Sequence, residues 1–133
     1  MTLAATGGLP AHAIGTHLLA DLHGVAPQLL SDPQRIEALL MAAAKAAGAT
    51  PLYSKFHHFG MDQGVTGVLL LQESHISIHT WPEFGFAAVD AFMCGDCRPD
   101  LAIAVLTEAL LPAGIDIRQE LRGPRLVPSR PKH

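Results

Sequence analysis

Cysteine is nearly absent from this chain: only Cys94 and Cys97 occur in 133 residues. Two thiols three positions apart cannot build the framework of bridges that small secreted domains need, so both are expected as free thiols in a reducing compartment. Charge is also sparse, at 16% of residues, and the nine basic side chains are outnumbered by twelve acidic ones. Arg118, Arg122, Arg125, Arg130 and Lys132 crowd into the carboxy-terminal end. The body is therefore acidic, which argues against nucleic acid as the main partner. Residues 1–10 carry neither a basic start nor a long apolar run, so a signal peptide and a membrane anchor both lack support, and a cytoplasmic location is the default expectation.

What the chain does have is apolar substance. Nearly half of it, 49%, is hydrophobic, which suits one globular domain with a single core spanning 1–133. Residues 1–11 and 123–133 lack periodicity and read as flexible ends. Between them, residues 17–22 read as a strand. Asp32 and Pro33 look like the N-cap and first residue of a helix, in which Ile36, Leu39, Leu40 and Ala43 share a face until Gly48 stops it. Strands follow at 51–59, 65–71, 75–81 and 86–93. Pro99 opens a second helix with Leu101, Val105, Leu106 and Ala109 expected inward, and a last strand spans 115–121. The pattern, written βαβββαβ, predicts an α+β fold: a two-layer α/β sandwich with an antiparallel sheet and both helices on one face. Strands apolar on both sides leave the other sheet face to be covered, so two chains are expected to pair through their sheets or edges as a homodimer.

The chemistry concentrates in the run Glu73-Ser74-His75-Ile76-Ser77-Ile78-His79-Thr80-Trp81-Pro82-Glu83 and in Cys94, which closes the next apolar stretch. A hydroxyl with imidazoles nearby supplies a nucleophile and a base. On a regular strand, alternation places His75, Ser77, His79 and Trp81 on one face and Ile76, Ile78 and Thr80 on the other. Each polar residue taken singly also has a structural reading, as a buried group satisfied by the backbone.

This run, followed by an Ala-Ala-Val-Asp segment and Cys-Gly-Asp, resembles the bacterial and archaeal S-adenosylmethionine decarboxylase proenzyme family. The likeness extends to Ile14-Gly15-Thr16-His17-Leu18, to Phe56-His57-His58-Phe59 and to Gly64-Val65-Thr66-Gly67-Val68, and so covers most of residues 14–122. The resemblance implies a precursor that cuts itself between Glu73 and Ser74 into chains 1–73 and 74–133. Ser74 becomes a covalent pyruvoyl group that forms a Schiff base with substrate, so that no external cofactor is needed. It further implies that His79 accepts a proton during processing and that Cys94 donates one during decarboxylation. Phe59 matches an aromatic that stacks on adenine, Thr66 a hydroxyl near the site, and Glu83 a carboxylate for ribose. The small-molecule substrate is expected to be S-adenosylmethionine, decarboxylated for polyamine and spermidine biosynthesis.

His58 and Thr16 stand where the family commonly has arginine, and the turn Gly60-Met61-Asp62-Gln63 looks longer and carries an acid. Asp62 could pair with a distal cation, which leaves L-ornithine or L-arginine as alternative substrates. A rival from another class is a metal-binding or redox protein using Cys94, Cys97, His57, His58, His75 and His79. One Cys-x-x-Cys pair without a second is a weak zinc signal, and no metal ligand is assigned.

Overall fold

The computed structural model of the chain describes residues 13–124. The expected flexible ends lie outside that range, apart from Gly123 and Pro124. Six strands and two principal helices follow in the order β1 (Gly15–His23), α1 (Pro33–Ala47), β2 (Pro51–His58), β3 (Val65–Leu71), β4 (Ser74–Trp81), β5 (Phe86–Cys94), α2 (Pro99–Leu110) and β6 (Gly114–Arg122). The helices thus bracket four strands, one more than βαβββαβ counts. All four are the strands expected at 51–59, 65–71, 75–81 and 86–93, so the string undercounts the ranges themselves; β3 and β4 are separated only by Gln72 and Glu73, and Leu71 pairs directly with Ser74. Two apolar runs so close together are the two arms of a tight hairpin.

The helix termini follow their local chemistry. Asp32 accepts hydrogen bonds from the Gln34 and Arg35 amides at 3.1 and 3.3 Å, satisfying donors that the first turn would otherwise leave open. Gly48, at φ 81°, ends α1 in the left-handed conformation that glycine adopts without steric cost. Ile36, Leu40 and Ala43 are buried as expected, and Leu39 packs at the core margin. The inward face of α2 is rotated from the expected one. Pro99, Ala102, Ile103, Leu106 and Leu110 are buried, Val105 and Ala109 are only half-buried, and Leu101 is exposed. The observed stripe keeps the three- and four-residue spacing of one helical face, and Leu101 falls beside it.

All six strands form one antiparallel sheet in the order β2-β3-β4-β5-β1-β6. Both helices pack on each other and on the same side of the sheet. The core therefore lies between them and the alternate side chains Leu18, Ala20 and Leu22 of β1, Ile76 and Ile78 of β4, and Ala87, Val89 and Ala91 of β5. This is the α+β two-layer sandwich that the pattern predicts. Thr80 is the one buried polar side chain among the described residues. It accepts from the Val65 amide at 2.8 Å and donates to the Leu30 carbonyl at 2.7 Å, so its burial leaves no polar atom unsatisfied. The opposite sheet face carries His75, Ser77, His79 and Trp81 as alternation requires, with Leu70 and Tyr53 beside them, 44% and 59% exposed. Among the described residues, no helix is long and apolar enough to cross a membrane.

Candidate active site

Glu73 is the second residue of the β3–β4 turn and holds φ at 61°. A side chain with a Cβ pays on the order of 1 kcal/mol for the left-handed region, so strain is placed on the residue whose carbonyl precedes Ser74. Cys94, the last residue of β5, lies against this turn. Its amide donates to Ser74 Oγ at 3.3 Å, and its thiol donates to the Glu73 carbonyl oxygen at 3.2 Å. Register explains the meeting: His75 pairs with Phe92, which brings the start of β4 level with the end of β5. Burial, and secondarily the charges of Glu73 and Cys97, push the Cys94 thiol above its usual pKa. At neutral pH that thiol carries its proton, as a donor must.

Beside the turn, on the open sheet face, lies a cluster whose members stood in the motif without an assigned role. His17 Nε2 and His75 Nε2 both donate to Asp90 Oδ2, at 2.7 and 2.9 Å, and the Ser77 hydroxyl donates to Asp90 Oδ1. Burial alone would raise the Asp90 carboxyl. Hydrogen bonds from His75, Ser77 and His17, with the His75 charge, outweigh it and hold the group far below the usual carboxylate range. The same bond to Asp90 raises His75 against the opposing effect of burial. Arg122 Nη1 donates to His17 Nδ1 at 3.2 Å, which fixes the His17 tautomer with its proton on Nε2, aimed at Asp90. A cavity of about 460 Å³ opens here, lined by Ile14, His17, His75, Phe92, Arg122 and Gly123. Periodicity could place His17 and Asp90 on a face, but only the β4-β5-β1 register places them together.

The remaining expected site residues lie elsewhere. His79 is five positions along β4 from Ser74, a distance of about 17 Å at the rise of a strand. It pairs with Thr66 across β3, Nδ1 to Oγ1 at 3.2 Å, and stacks near Trp81. Phe59, 60% exposed, follows β2 at this same end and packs edge-on against His57. Glu83 is exposed in the single turn Pro82–Phe84 that follows β4. The residues read from the sequence as one site thus form two groups: Glu73, Ser74 and Cys94 at one end of the sheet, and Phe59, Thr66, His79 and Glu83 toward the other.

The donors of the rival metal reading do not converge. Among the described residues, the group of three metal-capable side chains within 4.8 Å is His17, His75 and Asp90, which contains neither cysteine. A metal on His17 Nε2 would require the proton on Nδ1, the atom that accepts from Arg122. The arrangement is built as a hydrogen-bond network.

A two-layer sandwich with a serine after a strained turn and a thiol on the preceding carbonyl can be set beside known proteins. The family model described as S-adenosylmethionine decarboxylase matches residues 16–123. The chain is 46% identical over 99 residues to the S-adenosylmethionine decarboxylase proenzyme of Thermodesulfovibrio yellowstonii, covering 74% of this chain and 73% of that one. It is 47% identical over 111 residues to the proenzyme of the same name from Methanococcus maripaludis, covering 83% and 90%. The crystal structure of the adenosylmethionine decarboxylase from Aquifex aeolicus superposes with a TM-score of 0.80 at 39% identity, covering 91% of this chain and all of that one. The chain belongs to the S-adenosylmethionine decarboxylase family.

Proposed function

We propose that this protein is a self-cleaving decarboxylase of S-adenosylmethionine whose product is the aminopropyl donor for spermidine. The observation that carries the reading is the placement of Cys94 on both sides of the Glu73–Ser74 bond, its amide on the attacking oxygen and its thiol on the carbonyl attacked. Ser74 Oγ adds to the Glu73 carbonyl carbon, the C–N bond breaks, and an ester replaces the amide. The Cys94 S–H faces the oxygen on which negative charge develops. A base then removes the Cα proton of residue 74, and the ester leaves as the Glu73 carboxylate. The dehydroalanine that remains takes up water and releases ammonia, giving a pyruvoyl group at the head of chain 74–133.

The residues present fit that group: Ser74 is its source, and its neighbour along β4, His75, lines the cavity. Once formed, the ketone supplies an electron sink for the departure of carbon dioxide. Cys94 holds the proton that must return to carbon, and its raised pKa keeps that proton in place. Arg122 sets a positive charge on the cavity wall, suited to a substrate carboxylate.

His79 serves as the base only if it comes from a second copy, because about 17 Å of strand separates it from Ser74 of its own chain. Two open sheet faces stacked with opposite strand directions lay the His79 end of one chain over the Ser74 end of the other. With His79 Nδ1–H donating to Thr66, its Nε2 lone pair is free to accept. Phe59, Thr66 and Glu83 accompany it to hold adenine and ribose. Nothing in the surroundings of Asp62, exposed at a turn tip at φ 63°, favours ornithine or arginine. The location we infer is cytoplasmic, where both thiols stay reduced.

Mass spectrometry of purified protein tests the reading. Two fragments divided before residue 74 are expected, the second resistant to Edman degradation and reducible by borohydride, with carbon dioxide released from labelled S-adenosylmethionine and not from ornithine or arginine. A folded chain that stays whole, with an ordinary serine at 74, overturns it.

A further inference from the structure

Cys97, the second thiol, takes no part in the chemistry above. It closes a tight turn: β5 ends at Cys94, Gly95 takes φ 64°, and the Cys97 amide donates to the Cys94 carbonyl at 3.3 Å. A bond from residue i+3 back to residue i keeps their Cα atoms within about 7 Å, and a disulfide spans about 4.4–6.8 Å. Both thiols are free and partly exposed. Each is held only as a weak donor, Cys94 to the Glu73 carbonyl and Cys97 to the Gly48 carbonyl at 3.5 Å, so a rotation about χ1 redirects either sulfur at little cost. The turn has room to adjust, since nothing lies within 4 Å of where a Cβ on Gly95 would sit.

We propose that Cys94 and Cys97 are a modification site, closed by peroxides into a reversible disulfide that turns the enzyme off. The consequence for activity rests on the role given to Cys94 under Proposed function; the modification itself does not. The Cys97 sulfur attacks one peroxide oxygen, the O–O bond breaks, and water leaves as Cys97 becomes a sulfenic acid. The Cys94 sulfur then attacks the Cys97 sulfur, the S–S bond forms, the S–O bond breaks, and the Cys94 proton leaves with that oxygen as a second water. Two thiols lose two electrons and one peroxide gains them. Cys97 is the first to react because Cys94 keeps its proton at neutral pH. In the disulfide, Cys94 has no proton to return to carbon and no S–H for the Glu73 carbonyl. After cleavage both cysteines lie on chain 74–133, so the bridge is internal to one fragment.

The purified enzyme, titrated with hydrogen peroxide near stoichiometry, is then read by intact mass, thiol labelling and decarboxylation. The expected result is a 74–133 fragment lighter by two hydrogens, both thiols lost together, and at least a tenfold fall in activity that dithiothreitol reverses in full. In Cys97→Ser, which keeps a hydroxyl donor for Gly48, the same dose of peroxide should give no bridge and leave activity largely intact, because the protonated Cys94 thiol reacts slowly. Wild-type protein that keeps both thiols at that dose, or a Cys97→Ser protein with the same reversible loss, overturns the proposal. A bridge that forms in a protein without decarboxylase activity leaves the modification standing and removes the proposed function instead.

Discussion

Co-expression of a His79→Ala chain with a Ser74→Ala chain puts the separation of the two groups of residues to work. Five strand positions part Ser74 from His79, about 17 Å, whereas proton transfer needs contact near 3 Å. No rotamer of His79 closes that gap, and the sheet that carries both residues has hydrogen-bonded neighbours on each side of β4. Each variant expressed alone should therefore remain whole: the first has a nucleophile and no base, the second a base and no nucleophile. Mixed dimers differ. One of their two sites combines Ser74 of the His79→Ala chain with His79 of the Ser74→Ala chain, while the other lacks both groups. With equal expression and random pairing of two-fold dimers, roughly half of the His79→Ala chains meet the other variant. About half of them should be cut, and none of the Ser74→Ala chains. Different affinity tags make the two chains separable on a denaturing gel. Cleavage of the His79→Ala chain expressed alone would remove His79 from processing. Mixed dimers that form but leave both chains whole would show that base and nucleophile belong to one chain and refute the shared site.

Other perturbations follow from the same geometry. Glu73→Gly removes the strain of a left-handed glutamate, on the order of 1 kcal/mol, and should slow self-cleavage about fivefold in a time course; faster cleavage would refute a contribution from strain. Cys94→Ala should slow processing as well as turnover, since the thiol touches the Glu73 carbonyl, and unaltered cleavage kinetics would confine its role to decarboxylation. Leu70→Glu, on the open face, should give a folded monomer by circular dichroism and light scattering that cleaves poorly; a cleaving dimer would place the interface elsewhere. Asp90→Asn removes the acceptor shared by His17 and His75 and should cost about 2 kcal/mol in denaturant unfolding near pH 5.5. The sign follows from both partners. Asp90 is depressed when folded, so its contribution is present above the ordinary carboxylate pKa and fades as pH falls through and below it. His75 is raised, so its contribution is complete below the ordinary imidazole value and fades as pH rises past it. Wild-type stability should thus peak between about pH 4 and 6.5 relative to the variant, and parallel pH profiles would dismiss the network as a stabilising element.

How much of this a sequence can reveal depends on the range over which each signal acts. The caps of α1 are written in Asp32, Pro33 and Gly48, residues in contact with the atoms they satisfy, and the split of β4 into Ile76 and Ile78 against His75, Ser77 and His79 is carried by a period of two. Both are local and were legible. The inward face of α2 was not, because Leu101 and Ile103 are equally apolar and only the position of the helix over β1 and β5 decides between them. Asp90 between His17 and His75 was hidden for a related reason: the three come from β5, β1 and β4, and their meeting is fixed by register across strands as much as 73 residues apart. Motif likeness acts differently from either. It gathers Ser74, His79 and Cys94 as one functional set without saying how far apart a single chain holds them. Strand geometry holds Ser74 and His79 about 17 Å apart in one chain, and under the proposal that His79 serves a second copy, the uncovered sheet face and the incomplete site become one problem with one answer.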